Sequence, residues 1–98
     1  MSSGNVFADI GLPNAAELLF KADLVIAIGR VIEERGLSQR QAAEIVGLDQ
    51  PKVSALMSGD TRRFSTDRLL KVLTCLGQDI DIRVHTSKKS RGRVRVAA

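Results

Sequence analysis

The chain has 98 residues, enough for one small domain, with a net charge of +4 and 44 % apolar residues. Its only cysteine, Cys75, excludes an internal disulfide and a cysteine-rich metal site, and no run of about 18 apolar residues offers a membrane span. Three phenylalanines with no Trp or Tyr argue against a sheet of stacking aromatics for RNA or single strands.

Charge is unevenly distributed. Residues 1–85 carry ten Lys/Arg against eleven Asp/Glu, whereas residues 86–98 hold Lys88, Lys89, Arg91, Arg93 and Arg95 with no acid. This basic tail reads either as a solvated, disordered end or as an attractor of phosphate backbones. No basic stretch followed by a long apolar one opens the chain, so no secretion signal is expected. The lone cysteine suits a reducing, cytoplasmic setting, nucleoid-associated if DNA is bound.

Residues 1–12 read as an N-terminal arm, in which Asn5–Ile10 suits a short strand. The first helix is expected from about Asn14 to Arg35. Asn14 and Glu17 resemble a capping box, and Gly36 supplies the stop. Leu18, Ala22, Val25, Ile26, Gly29 and Ile32 form one helical stripe, and Leu24, Ile28 and Val31 a second row. So apolar a helix must be covered on more than one side, by its own domain or by a partner.

A second helix is expected from Ser38 to Val46, opened by the Ser38/Gln41 capping box and ended by Gly47. Its inner face is Ala42, Ala43, Ile45 and Val46. A third runs from Gln50 to Met57, capped by Asp49, with Pro51 in the first turn, where a missing N–H costs nothing. Val53, Leu56 and Met57 point inward. The loop Ser58–Phe64 carries Arg62 and Arg63.

A fourth helix spans Thr66–Leu76 after a Ser65 cap, with Leu69, Leu70, Val72, Leu73 and Leu76 as its apolar face. In residues 79–85, Ile80, Ile82 and Val84 alternate with Asp81, Arg83 and His85, the pattern of a half-buried strand. A lone strand needs a mate: the Val6–Ile10 segment, a second copy of the chain or another protein. The expected architecture is mainly α, a four- to five-helix domain over 13–85 with a short C-terminal β-strand at 79–85, between the arm at 1–12 and the tail at 86–98.

Two short helices joined by a tight glycine corner make a helix-turn-helix. Ala43 supplies the small side chain where the helices cross, Gly47 the residue that tolerates positive φ, and Val53 and Leu56 the inward anchors of the second helix. The four at this spacing, between capped helices, form a specific signal.

Residues Gln39 to Ser58, QRQAAEIVGLDQPKVSALMS, closely resemble the helix-turn-helix of the phage-repressor (Xre/Cro) superfamily, and SGDTRRFSTDRLLKVL resembles that family's loop and next helix. More narrowly, NVFADIGLPNAAELL, the long first helix, QPKVSALMSG and LGQDIDIRV resemble the HigA-type branch of antitoxin-like regulators. The resemblance implies a repressor-like fold that reads the major groove with helix 50–57. Base readout then falls to Gln50, Pro51, Lys52, Ser54 and Ala55. Gln50 suits adenine N6 and N7, and Pro51 and Ala55 suit thymine methyls, although the family often places polar readers there. Lys52 suits guanine or phosphate. Phosphate contacts fall to Gln39, Arg40, Ser58, Arg62 and Arg63. The family's match to Gln39 also braces the reading glutamine.

His85 is the only histidine, Glu33 and Glu34 diverge on a helix, and Ser54 and Ser58 have no local base. No enzyme, cofactor or metal site is therefore expected. Cys75 reads as a small core or interface residue. The expected function is a sequence-specific regulator of transcription, binding a double-stranded operator as a homodimer. It would act as a repressor, and as an antitoxin where a cognate toxin protein exists. The alternative is a protein-interaction or toxin-neutralising module with no operator binding of its own.

Overall fold

The computed structural model describes residues 14–97. The expected arm at 1–12 lies outside them, as does the Asn14 side chain expected to cap the first helix. Among the described residues there are four helices: α1 Asn14–Glu34, α2 Gln39–Val46, α3 Gln50–Met57 and α4 Thr66–Cys75. Their ends fall within one residue of expectation because capping is a local, side-chain-coded event. Ser38 Oγ accepts from Gln41 N at 3.1 Å while Gln41 Oε1 accepts from Ser38 N at 2.9 Å, closing the capping box. Asp49 and Ser65 cap α3 and α4 by one bond each, accepting from Lys52 N and Arg68 N.

The long helix α1 packs chiefly on α4, and α2 packs on α3 while both touch that pair. Leu24, Ile28 and Ile32 of α1 meet Leu69, Val72, Leu73 and Leu76 from α4 and its end. Ala42, Ala43, Leu48, Val53, Leu56 and Phe64 complete one core. Of the two apolar rows on α1, the row through Leu24 and Ile28 faces inward. Half of the other faces solvent: Leu18 and Ile26 are about half exposed, Leu19 beside them more so, and Ala22 is exposed, whereas Val25 and Gly29 are half-buried and Ile32 joins the core.

Several inward assignments are corrected. Ile45 is exposed because it lies about 200° round the helix from buried Ala43. Cys75, two residues past buried Leu73, is exposed for the same reason. Met57, at the last position of α3, also reaches solvent; Val53 and Leu56 alone are buried there.

The expected strand at 79–85 is absent. Strand backbone requires a partner for its N–H and C=O groups, and no described residue pairs with this segment. Its alternating apolar residues therefore stand in water, Ile82 82 % and Val84 90 % exposed. The architecture is four helices without a strand among the described residues, and residues 86–97 follow with neither helix nor strand, exposed throughout.

One long-range contact ties the ends of the base together. Arg35 Nη1 donates to the Leu76 carbonyl at 3.1 Å, and Gln78 Nε2 donates to the same oxygen at 3.2 Å. A cation on a helix-terminal carbonyl offsets the negative end of α4.

Because Leu69 is fully buried at the α1–α4 contact, Leu69→Ala will cost about 2–5 kcal/mol in urea unfolding followed by circular dichroism. Ile45→Ala will cost about 1 kcal/mol or less. Equal losses would contradict the face assignment.

Candidate nucleic-acid interface

The corner between α2 and α3 is built on one carbonyl. Gly47 N and Leu48 N both donate to Ala43 O, at 2.9 and 3.1 Å. That closure requires Gly47 at φ 71°, ψ 29°, the left-handed region a side chain disfavours. The turn drops Leu48 into the core, and Asp49 immediately caps α3. Ala43 and Val53, both buried, lie on the inner faces of the two helices. Of the four scaffold residues, Ala43, Val53 and Leu56 are thus buried and Gly47 is left-handed.

With Val53 and Leu56 buried, α3 turns Gln50, Pro51, Lys52 and Ser54 to solvent and leaves Ala55 half-exposed. No hydrogen bond within the described residues engages the Gln50 side chain, so its amide is free to meet an outside donor–acceptor pair. Gln39 opens α2, equally exposed and unengaged; no bond joins it to Gln50. Arg40 forms an exposed pair with Glu44 at 3.9 Å, a contact that water and salt compete with readily.

The far end of α3 closes on a second left-handed glycine. Gly59 has φ 86°, its N–H donates to Leu56 O at 3.0 Å, and Asp60 N donates to Ala55 O at 2.9 Å. This is a Schellman ending. Ser58 Oγ also donates to Ala55 O, at 2.9 Å, so its proton is spent inside the helix end unless a phosphate draws it away.

Asp60 organises the basic loop, a role the sequence reading missed. Its Oδ1 accepts from Arg62 N at 3.2 Å and lies 3.5 Å from Arg62 Nε, and its Oδ2 lies 3.9 Å from Arg63 Nε. The signal was available: an Asp followed two residues later by a backbone N–H it can accept is an Asx turn. Both arginines remain largely in water, and buried Phe64 pins the loop behind them. An open depression over Ser58–Arg62 joins this loop to the end of α3.

The residues expected to touch bases are therefore together on one exposed helix face. Those expected to touch phosphate lie at the start of α2 and in the loop that follows α3. Among the described residues no group of His, Cys, Asp or Glu is disposed to hold a metal, and no helix is long and apolar enough to cross a membrane.

A family model described as a helix-turn-helix domain matches residues 6–85. A solved structure assigned to the XRE family of transcriptional regulators superposes with a TM-score of 0.78 at 38 % identity, covering 88 % of this chain and 97 % of its own. Comparison with curated proteins finds no match.

A Cβ at Gly47 would meet no atom within 4 Å, so the cost of Gly47→Ala is conformational alone, about 1–2 kcal/mol by denaturant titration. Gly47→Asn, which tolerates the left-handed region better, will cost less. The reverse order would refute the backbone argument.

Proposed function

The chain belongs to the XRE-type helix-turn-helix family of DNA-binding transcriptional regulators, and from that premise we propose that it recognises a specific duplex operator by laying α3 in the major groove. As a member of that family it is a DNA-binding protein and not an enzyme. The single observation that carries the proposal is the exposed, unengaged face of α3 headed by Gln50. Gln50 reads adenine, Pro51 and Ala55 meet thymine methyls, and Lys52 and Ser54 work at the flanks. Gln39, Arg40, Arg62 and Arg63 hold phosphates and so fix the docking angle, with Ser58 joining them once its hydroxyl leaves Ala55 O.

The chain acts in this reading as a homodimeric repressor in the compartment that holds the DNA. One eight-residue helix offers few base contacts, and two of them a helical turn apart supply both affinity and recognition of a palindromic site. The exposed apolar stripe of α1, Ala15, Leu18, Leu19, Ala22 and Ile26, is a surface suited to a second copy. An antitoxin role is supported by the likeness of NVFADIGLPNAAELL and LGQDIDIRV to the HigA-type branch; co-purification with the product of an adjacent reading frame tests it.

Mobility-shift titration against a duplex enriched from a randomised pool tests the operator reading. Gln50→Ala will cost about 1–3 kcal/mol of preference for the enriched duplex over a shuffled one. Arg62→Ala will weaken both duplexes alike. A wild-type chain that enriches no sequence, yet binds a protein tightly, would establish the interaction-module alternative. Sedimentation of Leu19→Glu will show monomer where the wild type shows dimer; an unchanged dimer would move the interface away from α1.

A further inference from the structure

We propose that residues 88–95 form a second, sequence-independent DNA-binding element, a basic strap that lies along phosphates beside the site read by α3. The inference rests on the operator-binding reading and adds a site that this reading does not use.

The charge balance comes first. Residues 1–85 are close to neutral, so the entire positive excess of the chain resides beyond them. On the helix-turn-helix itself, Arg40, Arg62 and Arg63 each face a carboxylate, of Glu44 or Asp60. Asp49 stands at the head of α3. The candidate interface thus has hydrogen-bonding capacity but little net attraction for a polyanion.

Residues 86–97 present the opposite case. All are exposed, and Lys88, Lys89, Arg91, Arg93 and Arg95 have no ion-pair partner among the described residues. Five cations within eight positions repel one another, and a polyanion relieves that repulsion while displacing the salt ions that otherwise screen it. Arg91, Arg93 and Arg95 alternate with Gly92, Val94 and Val96. In extended backbone such residues share one side at a spacing of about 6.6 Å, so each guanidinium can reach a separate phosphate on a duplex that carries one charge per about 1.7 Å of axis. Arginine suits this work through its bidentate fork.

Reach is sufficient. Twelve residues, 86–97, span up to about 40 Å when extended, longer than one turn of duplex at about 34 Å. Duplex DNA is favoured over an anionic membrane because the strap carries no large apolar side chain to insert beside its charges; Val94 within it and Val96 just beyond it are the only aliphatic residues of any size there.

The test uses the full chain, titrated with the enriched and shuffled duplexes over a range of salt. In R91Q/R93Q/R95Q the slope of log affinity against log salt will shallow by about 3 for each bound protomer, about 5 for the homodimer, equally on both duplexes and with the preference ratio unchanged. R91K/R93K/R95K, which keeps the charge, will retain the wild-type slope. An unchanged slope in the glutamine variant overturns the strap while leaving operator recognition standing. A wild type with no preference, but with a steep slope that the glutamine variant loses, overturns operator recognition and leaves the strap. No binding of the wild type to either duplex, with capture instead by vesicles of anionic lipid, overturns both.

Discussion

The orientation of α3 depends on the Ala43 carbonyl and the left-handed glycine that lets two successive N–H groups close on it. With that corner fixed, Leu48 enters the core, Asp49 arrives where it can cap, and the first buried residue of α3 falls at Val53. The exposed face is then determined by helical geometry: whatever surrounds Val53 and Leu56 on the far side must face water. A change of corner conformation would rotate the whole readout face, which is why so small a motif specifies so much.

The corner is useful only if it is held against something rigid. That role belongs to α1 and α4, whose contact supplies most of the large buried side chains. Arg35 locks the same pair at their C-terminal ends by donating to the carbonyl of buried Leu76. The two short helices, too short to be stable alone, owe their order to this platform. The platform in turn leaves one side of α1 uncovered, because α4, α2 and α3 cannot surround a helix that is apolar almost all round.

What the sequence made legible was what is encoded locally. Caps at Ser38, Asp49 and Ser65, stops at Gly36, Gly47 and Gly77, and the scaffold spacing from Ala43 to Leu56 depend on neighbours within a few positions, and the structure places them as expected. Facing was less legible. On α1 both rows are apolar, so periodicity could not choose between Leu18–Ala22–Ile26 and Leu24–Ile28. On α2, Ile45 has the composition of a core residue but the wrong angle. Pairing was not legible at all: alternation in 79–85 states that a segment is compatible with a strand, whereas a strand exists only where another backbone meets it. At the candidate site the exposure of the α3 face was legible and the engagement of its neighbours less so: the Asp60 tether on Arg62 carries an Asx-turn signal, whereas the Ser58 bond to Ala55 O does not follow from spacing alone.

The two caps of the helix-turn-helix differ in charge, and the difference bears on which helix does what. Both helices direct unpaired N–H groups, and the positive end of a dipole, toward the proposed duplex. At α2 the cap is the neutral hydroxyl of Ser38, which leaves that positive end available to a phosphate beside Gln39. At α3 the cap is the carboxylate of Asp49, which accepts from Lys52 N at 2.9 Å and cancels much of the attraction for phosphate at that point. A helix start that is poor for an anion remains good for the uncharged edge of a base, where a glutamine amide gains from geometry and not from net charge. Serine at one helix start and aspartate at the next therefore suit the different tasks proposed for the two glutamines. The same surface is polar yet nearly neutral, which is why the proposed strap is needed to supply attraction for a polyanion.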